Sequence, residues 1–165
     1  MADVTNQARV VALDRLWPGD IASRSGDLLD VVFGWPDVTR LRRQVKGQCA
    51  AAGLTGSRLD DFVLAVHEIA ANAIVHAGAG GRLILRRATN GLRCLIADRA
   101  PCDDLATSGA SEIPRPRKGG DRDDLREAAD TETGRGLWLA AQLADELSIT
   151  SGPDSTIVSL YIRFE

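Results

Sequence analysis

Between Ser57 and Ala77 the chain carries apolar residues at helical spacing: Leu59, Phe62, Val63, Val66, Ile69, Ala70, Ala73 and Ala77. At about 100° per residue they form a stripe covering less than half of a helix surface. A stripe of that width must be buried against a second layer, so this helix has to lie on a sheet or on other helices. Ser57-Arg58-Leu59-Asp60 has the spacing of a capping box and places the helix start there. The glycine-rich run from Gly78 to Gly81 ends it.

The remaining segments supply the partner layer. Leu28 to Phe33 is an apolar run of strand length. Pro36-Asp37 opens a helix with Asp37 as N-cap, a stripe of Val38, Leu41, Val45, Cys49 and Ala52, and Gly53 as its end. Arg82 to Ala88 and Leu92 to Ala97 read as strands joined by an Asn90-Gly91 turn, since both residues tolerate positive φ. A third helix is expected from about Gly136 to Glu146, on Leu137, Ala140, Leu143, Ala144 and Leu147. A final hairpin turns at Gly152-Pro153-Asp154. There Val158, Leu160, Ile162 and Phe164 alternate with Ser159, Tyr161 and Arg163, which predicts one covered face and one open face. The fold expected over residues 28–165 is α+β, a two-layer sandwich with helices on one face of a mostly antiparallel mixed sheet.

Two regions resist this reading. Residues 1–27 show no periodicity beyond Val10 to Leu13, and Trp17-Pro18-Gly19-Asp20 has turn composition. They are an extra strand or a loose arm. Arg99 to Thr133 is polar, with Pro114, Pro116, Gly119 and Gly120, and Asp123 to Ala129 could form one or two helical turns. Long irregular stretches of this kind are functional loops or disordered segments.

Composition narrows the function classes. Aromatic residues are only 4% of the 165, so the core is mostly Leu, Val, Ile and Ala. The net charge of −3 lacks the basic field of a nucleic-acid binder. No apolar stretch is long enough for a membrane span, and nothing at the start looks like a signal peptide. Cys49, Cys94 and Cys102 are odd in number and lack metal-site spacing, as expected of reduced thiols in a cytoplasmic protein.

Three short segments carry chemistry. In the long helix, Glu68, Asn72 and His76 recur every four residues and line one narrow face beside the apolar stripe. An amide oxygen suits Mg²⁺, and a carboxylate one turn away can orient or deprotonate a hydroxyl. An ordinary amphipathic helix with solvated polar residues has the same spacing. Asp98 ends a strand, where a carboxylate lines a cleft or merely forms a turn. Thr133-Gly134-Arg135-Gly136 precedes an apolar helix, where glycines let phosphate oxygens approach backbone N–H groups, and where a plain loop would look alike.

As an ordered set these segments resemble the GHKL ATPases, whose nucleotide pocket is of the Bergerat type. Glu68, Asn72 and His76 resemble the family's N box, Asp98 its G1 region, and Gly134 and Gly136 its G2 box. The segments AVHEIAANAIVHA and TGRGLWLAAQLAD are similar to the anti-sigma-factor serine/threonine kinase branch almost residue by residue. The resemblance implies ATP and Mg²⁺ as ligands, with Asn72 holding the metal, Asp98 accepting the adenine amino group, His76, Gly134, Arg135 and Gly136 on the nucleotide, and Glu68 as catalytic base. It implies a sigma factor and an anti-sigma-factor antagonist as partners, and a homodimer as the common assembly. One departure stands out: the family's glycines after the G1 aspartate are replaced by Arg99-Ala100-Pro101-Cys102. A nucleotide-binding switch without phosphotransfer, or an interaction domain on the same fold, therefore stays open beside the kinase. A two-component histidine kinase fits less well, because both histidines lie inside the proposed nucleotide helix.

Overall fold

The computed structural model describes residues 9–10, 24–77, 80–98, 132–151 and 156–165. Two eight-residue strands, β3 (Gly81–Ala88) and β4 (Gly91–Asp98), pair along their whole length within a six-stranded sheet. Around them stand β1 (Arg9–Val10), β2 (Leu29–Phe33), β5 (Glu146–Ser151) and β6 (Thr156–Arg163), in the order β1-β5-β6-β4-β3-β2. All neighbours pair antiparallel except β1 with β5. Among the described residues three α-helices cover one face: α1 (Val38–Ala51), α2 (Gly56–Ala77) and α3 (Glu132–Leu143). This is the α+β sandwich expected from the sequence.

The core lies between those layers. Phe62, Val63, Ala65, Val66, Ile69, Ala70 and Ala73 of α2 meet Leu83 and Leu85 of β3, Leu92, Cys94 and Ile96 of β4, and Leu160 and Ile162 of β6. Leu41, Val45 and Cys49 of α1 and Ala140 and Ala141 of α3 complete it. The sequence stripe of α2 is thus its buried face, widened by Ala65 and Ile74. Burial pushes the Cys49 thiol up to about 12 and Cys94 well above its ordinary value, so both are inert free thiols.

Several boundaries move from their sequence positions, each for a local reason. The β3–β4 register pairs Ala88 with Gly91, so the two-residue turn is Thr89-Asn90 and not Asn90-Gly91. Gly91 is required for space: a Cβ there would overlap the Ile162 carbonyl oxygen of β6. Asp37 does not cap α1 with its side chain. Its carboxylate instead accepts from the Gly34 N–H at 3.1 Å and from Arg40 at 2.6 Å. Helix α2 starts at Gly56, so Ser57 lies inside it, and Asp60 pairs with Lys46 at 2.7 Å and does not close a capping box. Helix α3 starts earlier and stops at Leu143, so Leu147 is not part of its stripe but a buried β5 residue. The chain is turned at Asp145, whose carboxylate holds Arg58 and accepts the Arg163 N–H. Finally, the outward face of β6 is covered at Ile157 and Ser159, which are as buried as the core, and opens toward Tyr161 and Arg163.

The expected helical turns at Asp123 to Ala129, the turn at Trp17 to Asp20 and most of Arg99 to Thr133 lie outside the described residues.

Candidate functional site

Helix α2 presents Glu68 and Asn72 one turn apart, about 5–6 Å along the axis. Both are half-buried, at the edge of the stripe that faces the sheet. Helix α3 packs along this edge, and Gly136 meets both side chains. A Cβ built on Gly136 would stand 3.0 Å from Glu68 Oε2, 3.2 Å from Asn72 Nδ2 and 3.4 Å from Asn72 Oδ1. Any side chain at 136 would press on the carboxylate and the amide, so glycine keeps the two helices close and the polar pair in place. Segments far apart in sequence thus converge on one point.

The glycines differ from expectation in one respect. They lie within the first turns of α3 and not ahead of it. Gly134 sits in the opening turn, whose N–H groups have no intrahelical acceptor and favour an anion. Gly136 sits deeper, and its distinctive contact is with the α2 side chains. Arg135 between them is exposed. His76 lies in the last turn of α2.

Asp98 closes β4 opposite Gly81. Gly81 follows α2 after only a short connection, so Asp98 and the C-terminal end of α2 share one end of the molecule. The line Glu68, Asn72, His76 therefore climbs α2 toward that end. Close approach at this junction again depends on glycine. A side chain at Gly80, whose φ is +88°, would overlap the Phe33 carbonyl oxygen, and one at Gly81 the Ala97 carbonyl oxygen. Asp98 is half-buried, and burial raises its carboxyl from 3.8 to about 6. A carboxylate held near neutrality in a partly dry position marks a functional-site candidate.

One residue escapes the sequence reading. Ala97 pairs with Ile157, so the next positions, Asp98 and Thr156, stand side by side on the helix-facing side of the sheet. Thr156 also pairs with Ser151. The β-branched run Thr156-Ile157-Val158 was the available signal, because it extends the strand before the alternation starts at Val158. Hydroxyl and carboxylate together can meet both donors and acceptors on the edge of a ligand ring.

Oxygen donors dominate the α2 end of the site, which suits a hard divalent cation sharing its shell with phosphate oxygens. Among the described residues no group of three or more His, Cys, Asp or Glu could form a complete metal cage by itself. The donor set of Glu68 and Asn72 fits Mg²⁺ bound jointly with a ligand. Among the described residues no helix is long and apolar enough to cross a membrane.

Comparisons with known proteins bear on the fold and the family. No curated protein matches the chain. Among solved structures, a chain of the SiaB–SiaC complex from Pseudomonas aeruginosa superposes with a TM-score of 0.59 at 15% identity, over 82% of this chain and 89% of that one, a likeness of fold. The family of the histidine kinase-like ATPase domain matches residues 36–162, a span that contains Glu68, Asn72, Asp98, Gly134 and Gly136. The chain belongs to the histidine kinase-like ATPase family.

Proposed function

We propose that this protein binds ATP with Mg²⁺ between α2, α3 and the Asp98 end of the sheet, and works as an anti-sigma-factor serine/threonine kinase in a partner-switching circuit. The observation that carries the reading is the convergence of Glu68, Asn72 and Gly136 from two helices, with Asp98 and Thr156 at the strand ends beyond. In this reading Asn72 holds the metal through its amide oxygen, and the opening turn of α3 with Gly134 and Arg135 faces the phosphates. His76 borders the nucleotide from the last turn of α2. Asp98 accepts the adenine amino group. Glu68 takes the proton from the incoming serine hydroxyl of an antagonist protein, and bound Mg²⁺ would supply charge neutralisation on the phosphates. Phosphorylation of the antagonist would leave a sigma factor held by this protein, in the cytoplasm and as a homodimer.

The likeness to a chain of the SiaB–SiaC complex supports a protein partner, since that complex joins two different chains. Incubation with labelled ATP, Mg²⁺ and candidate antagonists tests the kinase reading directly. Transfer of label to a serine or threonine is the expected result.

One feature favours a second reading, a nucleotide-gated switch without phosphotransfer. Asp98 is followed by Arg99-Ala100-Pro101 where the family it resembles has glycines. Stabilisation by ATP with no transfer to any cognate antagonist would select the switch.

A further inference from the structure

Helix α1 is charged with one sign. It carries Arg40, Arg42, Arg43 and Lys46 and no Asp or Glu, in a chain whose net charge is −3. All four cations are exposed. Arg40 is tied to Asp37 at 2.6 Å and Lys46 to Asp60 at 2.7 Å. Among the described residues no carboxylate pairs with Arg42 or Arg43. The helix is held to the core by Leu41, Val45 and Cys49, so neither arginine is needed for packing. Arg42 and Arg43 each stand one turn from Lys46, a spacing at which like charges repel. Such a face gains from an external anion.

Apolar surface adjoins it. Trp35, in the short turn Trp35–Asp37 that leads into α1, is 69% exposed, and Val75, near the end of α2, is 66% exposed. The two helices form a hairpin closed by residues 52–55 and pinned by the Lys46–Asp60 pair, so the start of α1 and the end of α2 share one end. The close approach of Gly80, just past α2, to the Gly34 backbone joins them there. Leu64, Ala71 and Val75 make the ridge of α2 opposite its buried stripe. Asp60 lies on the flank that meets α1, and Glu68 and Asn72 on the flank that meets α3. The described helices leave the ridge between them uncovered. Arginines beside an aliphatic ridge with an exposed Trp at one end are the residue types that anchor protein interfaces.

We propose that the outer face of α1 and the α2 ridge dock an acidic protein surface, its carboxylates on Arg42 and Arg43 and an apolar side chain against Trp35 and Val75. Charge complementarity selects this occupant. A second copy would set two basic α1 faces against each other across a two-fold axis. A phosphate backbone would pair the arginines but leave Val75 and the ridge without apolar contact. The proposal does not rest on the nucleotide reading. Glu68 lies between Leu64 and Ala71 along α2 and borders the surface without being part of it.

The test uses the full chain and a dye-labelled synthetic peptide of Glu with Leu at every third or fourth position, so that one helical face is apolar. Fluorescence anisotropy should show saturable binding that weakens with added salt, and none for the same peptide with Lys in place of Glu. Arg42→Glu combined with Arg43→Glu, both at exposed positions, should weaken binding by roughly tenfold or more. The Arg42→Gln and Arg43→Gln pair should weaken it less, and keeps the test readable if charge reversal disturbs α1. Trp35→Ala should cost several-fold. Arg163→Glu, exposed at the end of β6, should change nothing. Failure of the wild type to bind would overturn the proposal, as would equal affinity in the α1 variants or an equal loss in Arg163→Glu. Oligouridylate binding as tight as the peptide's, and lost in the same variants, would assign the face to nucleic acid. A dimer that sediments as monomer once Arg42 and Arg43 are reversed would assign it to a second copy.

Discussion

The two ends of the candidate site are built differently. At the α2–α3 end, Glu68, Asn72 and Gly136 sit on long helices whose other faces are locked into the core, and their spacing is set by contact across two packed elements. At the sheet end, Asp98 is the last residue of its strand, and its notable property is electrostatic: burial holds its carboxyl near 6. The first end is shaped by sterics and should respond to volume. The second is tuned by solvation and should respond to charge and pH. That contrast divides the substitutions below.

The largest effect is expected at Glu68. Glu68→Gln keeps the size and removes the proton acceptor. Phosphotransfer to a cognate antagonist should fall by about 10²–10⁴-fold while ATP affinity stays near wild type. Single-turnover transfer rates beside calorimetric affinities check this, and transfer at the wild-type rate would remove Glu68 from the role of base.

Volume at the same end comes next. Gly136→Val should disturb the Glu68 and Asn72 positions and weaken Mg-ATP binding. It should also destabilise the fold by about 1–3 kcal/mol, as overpacking does. The exposed neighbour gives the control: Arg135→Ala should leave the melting temperature unchanged. Equal melting curves for Gly136→Val and wild type would mean that α3 does not rest on the polar pair.

At the sheet end, a carboxylate accepts from the adenine amino group but faces the carbonyl oxygen of guanine as acceptor against acceptor. An unpaired buried polar group costs about 1–3 kcal/mol, so ATP should be preferred to GTP by roughly tenfold or more. Because the Asp98 carboxyl titrates near 6, ATP affinity should fall as pH drops from 7.5 to 5, and Asp98→Asn should flatten that profile. Competition binding of the two nucleotides across pH is the measurement. A preference untouched by the substitution would count against this role.

The smallest effect concerns stability. The folded carboxyl of Asp98, near 6, lies above its ordinary 3.8, so the folded state holds the proton more tightly. The favourable contribution is complete below 3.8 and is lost as pH rises through 6. Asp98→Asn should therefore melt at the same temperature as wild type at low pH and somewhat higher above pH 6. A gain at pH 4 equal to that at pH 8 would contradict the electrostatic account of this end.

The contrast also decides what could be read without coordinates. Glu68 and Asn72 were legible because a helix fixes i, i+4 neighbours locally, and the stripe of Phe62, Val66, Ile69 and Ala73 says which way the helix faces. The contact of Gly136 with them was not, because it depends on how α3 crosses α2 after the long polar stretch. Local signals also misplaced edges. Asn90-Gly91 looked like the turn, yet Gly91 is spent on the close approach of β6, and the turn shifts by one residue. Leu147 continued the helical period of α3 but gains more from a place in β5, where it is fully buried. The alternation in β6 promised an open outward face. Ile157 and Ser159 depart from it, being buried, while Arg163 keeps to it.

The central claim is that these two unlike ends form one ATP pocket. Calorimetric titration of the wild-type protein, Asn72→Ala and Asp98→Asn with ATP, with and without Mg²⁺, tests it most directly. Wild type should bind ATP saturably, and more tightly with Mg²⁺. Asn72→Ala should lose the metal dependence, and Asp98→Asn should lose affinity with the metal dependence intact. Absence of binding by folded wild-type protein, or identical titrations for all three, would contradict it.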